Sequence, residues 1–302
     1  MGRNGVIIVN AYGRPKESVL QPFGLQDEFF KLGVSAQIIK NGESNVFLKD
    51  GKIKSLLSAD FAVFLDKDKY LSFELEKSGM RLFNRHGAIR LCDDKGETLI
   101  RLSDSGLNLP DTVFAPLSYS DEDSISESSL IRIGEKLGFP LVVKESFGSM
   151  GKGVYLAENI EELKILAEKL KNKPHIYQKY LSHAFGTDVR VIVIGGSAVG
   201  AIKRKNDNDF RSNVAQGGVA QKFELSESFK AAAEKAANLL GLDYCGVDLL
   251  FGDAGERYVC DVISNAFFSG FEKATGINVA NLYAKYIIKT AFKKAYELGK
   301  NA

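Results

Sequence analysis

Apolar residues in this 302-residue chain come in short runs separated by glycine and charge, and the pattern changes about a third of the way along. Val6–Val9, Ala36–Ile39 and Phe61–Leu65 are runs of four or five mostly β-branched or aromatic residues, as expected of strands covered on both faces. Between and after them, Glu28–Leu32 (stopped at Gly33) and Tyr70–Lys77 (stopped at Gly79) suit helices, and Arg81–Phe83 suits a further strand. Strands alternating with helices predict a small parallel α/β unit over residues 1–93.

Beyond Cys92-Asp93-Asp94-Lys95 the chain reads as hairpins and covering helices over 94–302. A helical stretch runs to Ser105, with Gly106 and Pro110 at its end, and the serine-rich Ser118–Ser129 precedes a helix over Ile131–Leu137. Ile160–Lys171 has apolar residues at three- and four-residue spacing, the pattern of an amphipathic helix lying on a sheet. His175–Leu181 is a short strand, and Asp188–Ile194 and Ala198–Lys203 form a hairpin about Gly195-Gly196, with a basic end at Lys203-Arg204-Lys205. A polar loop, Asn206–Gly218, leads to a helix over Ser226–Leu240 and then to the strands Gly246–Phe251 and Arg257–Val262. The chain closes with an amphipathic helix over Val279–Leu298, a surface on which a homo-oligomer could form. The fold class is α/β, with the second part mixed α+β.

One stretch departs from this routine. Leu141–Leu156, LVVKESFGSMGKGVYL, sets Lys144 at the end of an apolar run, places Gly148, Gly151 and Gly153 in the loop, and returns through Val154-Tyr155-Leu156. It predicts a β-hairpin whose flexible tip exposes backbone N–H groups, a nest for an anion, with a lysine charge beside it. A Walker A loop needs four residues between its first glycine and Gly-Lys, whereas here there are two. The dinucleotide fingerprint opens a helix, and this loop opens a strand. A kinase glycine lid would need HRD and DFG motifs, which are absent. An ordinary glycine-rich hairpin is the alternative.

Composition narrows the partners. Forty basic against 38 acidic residues give a net charge of +2, which makes no general case for nucleic acid or a membrane surface. Three widely spaced cysteines (Cys92, Cys245, Cys260) form no zinc or disulfide pattern and read as small buried hydrophobes. His86, His175 and His183 are scattered, with no triad arrangement. No apolar run reaches membrane-spanning length, and the four-residue run near the amino terminus is too short for a signal peptide, so a cytoplasmic protein is expected.

Asp248 interrupts the apolar strand Cys-Gly-Val-Asp-Leu-Leu, Asp261 lies in the facing strand, and Asn265 is just beyond it. A carboxylate in such a strand needs a partner. Two carboxylates and an amide oxygen on neighbouring strands are hard ligands suited to Mg²⁺, and pairing with an arginine is the plainer alternative. Arg211 and Asn213 lie in the glycine-flanked polar loop, and Asp188 and Arg190 share one face of a strand.

Six ordered segments give the chain a resemblance. They are CDDK at Cys92–Lys95, FPLVVKESFGSMGKGV at Phe139–Val154, QKYL and GTDVRV within Gln178–Val193, DFRSN and QGG within Asp209–Gly218, GVDLL at Gly246–Leu250, and CDVISNAFFSGFEKATGINVA at Cys260–Ala280. In this order they resemble the ATP-grasp superfamily, and within it the RimK-like glutamate-ligase branch, over about Phe83–Ala280. The resemblance implies an ATP-grasp fold behind an N-terminal α/β domain, with a lid-bearing lobe at 94–178 and a metal-binding lobe at 179–302.

It also implies roles. Lys95 and Lys144 would contact ATP phosphates under a lid holding Ser149 and Gly151, while Gln178, Lys179 and Leu181 would line the adenine pocket and Asp188 would meet the ribose. Arg190, Arg211 and Asn213 would face the γ-phosphate and the acid substrate. Asp248, Asp261 and Asn265 would hold one or two Mg²⁺ ions, with Mn²⁺ able to substitute. The implied activity is ATP-dependent joining of a small-molecule or peptide carboxylate to an amine such as glutamate, through an acyl phosphate. One departure bears on the metals: the branch reads Glu-x-Asn where this chain has Asp261-Val262-Ile263, and isoleucine cannot ligate. That departure motivates a second expectation, an ATP-binding sensor or scaffold with little or no turnover.

Overall fold

A computed structural model describes residues 3–12 and 16–292. The first unit runs β1 (Asn4–Val9), α1 (Lys16–Lys31), β2 (Ser35–Lys40), β3 (Val46–Lys49), β4 (Lys52–Ser55), β5 (Phe61–Leu65), α2 (Lys69–Lys77) and β6 (Leu82–Phe83). Its main sheet, β2-β1-β5-β6, is parallel throughout, as the apolar runs require. Ile7, Phe61 and Val63 face α1, while Ile8, Ala62 and Phe64 face α2, so these strands are covered on both sides. The β3–β4 hairpin is an addition that the apolar pattern does not reveal.

The next stretch comprises α3 (His86–Asp93), α4 (Lys95–Leu102), β7 (Thr112–Phe114), α5 (Glu127–Leu137), β8 (Leu141–Glu145), β9 (Val154–Ala157), α6 (Ile160–Leu170) and β10 (His175–Lys179). Its antiparallel sheet, β7-β10-β8-β9, contains the predicted glycine hairpin as β8 and β9. Leu141, Val143 and Tyr177 pack against α5 and α6. The opposite face carries Lys144 and Gln178.

The last stretch comprises β11 (Thr187–Ile194), β12 (Ser197–Lys205), β13 (Val219–Phe223), α7 (Glu227–Leu239), β14 (Tyr244–Phe251), β15 (Arg257–Ile263), α8 (Ser269–Thr275) and α9 (Val279–Ala291). The sheet order is β13-β12-β11-β14-β15. One face is apolar and lies on α7 through Val189, Val191, Val247 and Val262. The other is divided along its length. Ile192, Ile194, Ile202 and Tyr244 join α8, α9 and the first unit in the largest core, whereas Asp188, Arg190, Arg204 and Asp248 occupy the other end. The predicted terminal helix ends at Ala291 with Phe292 as its cap, and the part of the expected span from 293 to 298 lies outside the described residues.

The first unit is locked onto this sheet. Asn84, 2% exposed, donates to the carbonyls of Tyr244 and Ser264 at 2.7 Å and accepts from the backbone N–H groups of Asp243 and Tyr244. Arg81 reaches Asp243 at 2.9 and 3.0 Å. No helix among the described residues is long and apolar enough to cross a membrane.

Buried His175 bonds the carbonyl of Lys173 through Nδ1 (2.8 Å) and the hydroxyl of Tyr177 through Nε2 (2.9 Å). Burial depresses its pKa below the ordinary histidine value, against the opposing pull of the Lys173 carbonyl. The folded state therefore binds this proton less readily than the unfolded chain, and stability falls as pH drops below about 6.5. Chemical denaturation between pH 7 and 5 should show a decline that His175→Gln flattens, with at most about 1.4 kcal/mol per pH unit at stake. An unchanged slope in the variant would assign the decline to other groups.

Candidate active site

The site lies where the polar end of the five-stranded sheet faces the glycine hairpin. Lys144 sits mid-strand on β8, paired with Val154 on one side and Ile176 on the other, which fixes its backbone. It is 8% exposed; its ammonium donates to Gln178 Oε1 at 2.6 Å and lies 3.4 Å from Cys260 Sγ. No carboxylate among the described residues forms an ion pair with it. A desolvated cation with only neutral partners is costly, and it marks a place where an anion is to arrive. Gln178 completes its own bonding through Nε2 to Thr112 Oγ1 at 3.0 Å.

Lys95 enters from the start of α4, just after the helix cap that Asp94 forms on Gly96 and Glu97. Its backbone N–H is bound by the carbonyl of Ser146, and its ammonium donates to the carbonyl of Gly148 at 3.0 Å, at the base of the glycine loop. Lys95 is thus tied to the loop itself, whereas Lys144 lies on the strand that leads into it, its ammonium on Gln178 and Cys260.

That loop is tied to the segment between β12 and β13. Arg211 Nη1 donates to the carbonyl of Gly151 at 3.1 Å, and Gln216 Nε2 donates to that of Met150 at 3.1 Å. Gly151 has φ +74°, a conformation that favours glycine, and a Cβ there would come 2.8 Å from Asn213 Oδ1. Asn213 therefore touches the lid. Arg211 is also forked on Asp209, with Nη2 to Oδ2 at 2.7 Å. Ser149 is exposed at the tip, its carbonyl accepting from the Lys152 N–H.

At the hinge, Lys179 ends β10. Its backbone N–H bonds the carbonyl of Asp111 and its exposed side chain lies 3.7 Å from Asp111 Oδ2. Leu181 follows, half-buried, with its carbonyl taken by the Ala184 N–H.

The polar end of the large sheet is a row of paired charges. Strand register sets Arg190 opposite Asp248, and Asp248 opposite Asp261. Arg190 grips Asp248 in a fork, Nε to Oδ1 and Nη2 to Oδ2, both at 2.7 Å. Arg204, 3% exposed, adds Nη2 to Asp248 Oδ2 at 2.7 Å and binds both oxygens of Asp188, its cross-strand partner. Burial would raise the Asp248 carboxyl, but the two guanidiniums outweigh it and hold the group well below the usual carboxylate range. Of the alternatives open for Asp248, pairing with arginine is the one realised here, and Asp188 is bound in the same way.

Of the predicted metal residues, Asp248 and Asp261 face each other across the β14–β15 ladder. Asp261, half-buried, has one bond, from the backbone N–H of Val262 to Oδ1 at 3.1 Å. Asn265 lies beyond the strand, where its Oδ1 accepts from Gln21 Nε2 of α1 at 3.5 Å. Ile263 shares the face of Asp261 and packs with the main core. Among the described residues no group of three His, Cys, Asp or Glu side chains could hold a metal ion. What remains fits an Mg²⁺ ion held by Asp261 and completed by nucleotide phosphates and water.

Two participants escaped the sequence reading. Arg204 stood out only as part of a basic strand end, yet it is the buried hub of the charge row. Cys260 reads in the sequence as a simple buried hydrophobe, yet it lies against the Lys144 ammonium, half-buried rather than enclosed as Cys92 and Cys245 are.

A glycine-hairpin sheet facing a charged antiparallel sheet, behind a parallel α/β unit, is the architecture of an ATP-grasp fold. The solved D-alanine--D-alanine ligase from Bacillus anthracis, complexed with ATP, superposes with a TM-score of 0.72 at 19% identity, covering 98% of this chain and 99% of that one. The model of the RimK-like ATP-grasp domain matches residues 92–287, and the chain belongs to that family. Human beta-citrylglutamate synthase B is 40% identical over 223 residues, 73% of this chain and 56% of the relative. The "Probable alpha-L-glutamate ligase" of Maridesulfovibrio salexigens is 35% identical over 221 residues, 72% of this chain and 70% of the relative. The chain thus spans little more than half the length of the human relative.

Proposed function

We propose that this chain is an ATP-dependent carboxylate–amine ligase that uses Mg-ATP and joins glutamate, as the amine, to a small-molecule or peptide acid. The observation that carries the reading is Lys144: a buried ammonium whose partners among the described residues are Gln178 and Cys260, on the strand that leads into a glycine loop whose base receives Lys95. Membership of the RimK-like family and the glutamate common to the relatives' names support the choice of reaction and amine.

In this reading residues 1–93 are the N-terminal α/β domain, 94–178 the lid-bearing lobe and 179–302 the metal-binding lobe. Lys95 and Lys144 take the phosphates, with Ser149 and Gly151 above them. Gln178, Lys179 and Leu181 border the base, and Asp188 lies on the ribose side. Arg190, Arg211 and Asn213 border the transferred phosphoryl group and the acid, while Asp261, Asp248 and Asn265 form the metal side. A bound Mg²⁺ would offset charge on the phosphates. The acid's carboxylate oxygen attacks the γ-phosphorus and ADP leaves. The glutamate nitrogen then attacks the acyl carbon, expelling phosphate and losing a proton as the amide forms. Fixed cations and lid backbone groups stabilise the charge that develops, so no protein nucleophile is needed.

A hydroxylamine trap tests this directly. With Mg-ATP and a pool of metabolite and peptide carboxylates, hydroxamate should form in step with ADP, and its mass identifies the acid. The second reading, an ATP-binding sensor or scaffold, is favoured by Ile263 and by the arginines on Asp248. Nucleotide binding with neither ADP nor hydroxamate formed would replace the ligase with that scaffold.

A further inference from the structure

The charged end of the large sheet has cations of its own. We infer that the nucleotide site takes a single divalent ion, on the Asp261 side, and that Arg190 and Arg204 stand on Asp248 where a second ion would. The inference rests on the Mg-ATP reading above.

Asp248 is held between two cations. Its two oxygens receive three N–H donors, two from Arg190 and one from Arg204, all at 2.7 Å. A divalent ion bridging Asp248 and Asp261 would sit beside two guanidinium groups, like charge against like charge. Arg204 is anchored at its far side by Asp188, its partner across the β11–β12 ladder. The stem of Arg190 lies over Gly246, where an added Cβ would meet Arg190 Cδ at 3.4 Å and the Ala266 Cβ at 2.7 Å.

The opposite side of Asp248 is different. Asp261 faces it across the ladder and accepts only one backbone bond, leaving the rest of its carboxylate for an ion. A second ion would need a further donor on this face. Ile263 is the next residue of β15 on that face, and it lies against the apolar core, paired with Gly246. Asn265 has its amide oxygen turned to Gln21 of α1. One carboxylate, phosphate oxygens and water complete a Mg²⁺ octahedron, and Ile263 offers no donor for a second ion on this face.

Counting bound Mn²⁺ tests the inference without turnover. The full chain is saturated with ADP, its binding checked by equilibrium dialysis. Mn²⁺ is titrated in, and the bound ion is quantified by electron paramagnetic resonance with a nucleotide-free control subtracted. One nucleotide-dependent Mn²⁺ per chain is expected, with no spin-exchange broadening, and Asp261→Asn should remove it while ADP remains detectable. Two ions per chain, or none with ADP bound, would overturn the inference and leave the ATP reading standing. No ADP bound in any arm would overturn both. Ile263→Asn alone should leave the count at one, and Ile263→Asn with Arg190→Met should raise it to two. A count of two in Ile263→Asn alone would overturn the part assigned to the arginines.

Discussion

Lys144→Met is expected to lower ATP turnover by about 10²- to 10³-fold, the usual effect of removing one preorganised electrostatic group from a site where negative charge develops. Stability should behave differently. In the free protein the ammonium is 8% exposed, and its hydrogen-bonding partners are an amide oxygen and a thiol. Methionine has similar length and no charge, so the substitution relieves a desolvation penalty. It also leaves Gln178 Oε1 without its donor, which costs about 1–3 kcal/mol. These effects oppose one another, and the melting temperature should move by only a few degrees. A lysine that served packing alone would give the reverse, a large loss of stability with turnover intact in the surviving folded protein. Steady-state kinetics and a thermal scan on the same preparation separate the two, and unchanged turnover would remove Lys144 from the site.

Much of this site could be read from the sequence, because its parts announce themselves locally. The glycine hairpin did so through two apolar runs around a loop that only glycine could build, and it appears as β8 and β9. Asp248 did so by interrupting an apolar strand. The partners of these residues were not legible, because they depend on register. A two-residue turn at Gly195-Gly196 pairs Ile194 with Ser197, and an unbroken ladder from there would set Asp188 opposite Lys203. A shift between Ile192 and Val193 moves the pairing by one residue, so that Asp188 meets Arg204 instead. A second shift, beside Asp248, brings Asp261 opposite it and leaves Cys260 as the extra residue of β15.

Other omissions had a signal that went unused. The β3–β4 hairpin turns at Asp50-Gly51, both with positive φ, a recognisable turn dipeptide. Its strands are largely exposed and show no alternation of apolar residues, so a search based on hydrophobic pattern passes over them. Helix α8 is only seven residues long and β13 lies at a sheet edge, both weak in the same respect.

Arg204→Met should destabilise the protein by about 3–5 kcal/mol, because removing one partner of a buried ion pair leaves the other charge uncompensated. The charge left over is Asp188, 5% exposed, both of whose oxygens are bound by Arg204. Asp248 would keep its fork from Arg190, so the loss should trace to Asp188. Combining Arg204→Met with Asp188→Leu should recover most of it, since an apolar pair of similar volume often replaces a buried ion pair at little net cost. The double-mutant cycle, measured by urea denaturation, isolates that coupling. Arg204→Lys should fall between, because an ammonium keeps the charge but cannot hold two carboxylates with one planar fork. A single variant as stable as the parent would mean that Asp188 finds solvent or another donor when Arg204 is gone. Recovery of stability in the double variant with ADP binding still weakened would give the buried pair a second role: holding β11 and β12 in the register that aims Arg190 and Asp248 at the nucleotide.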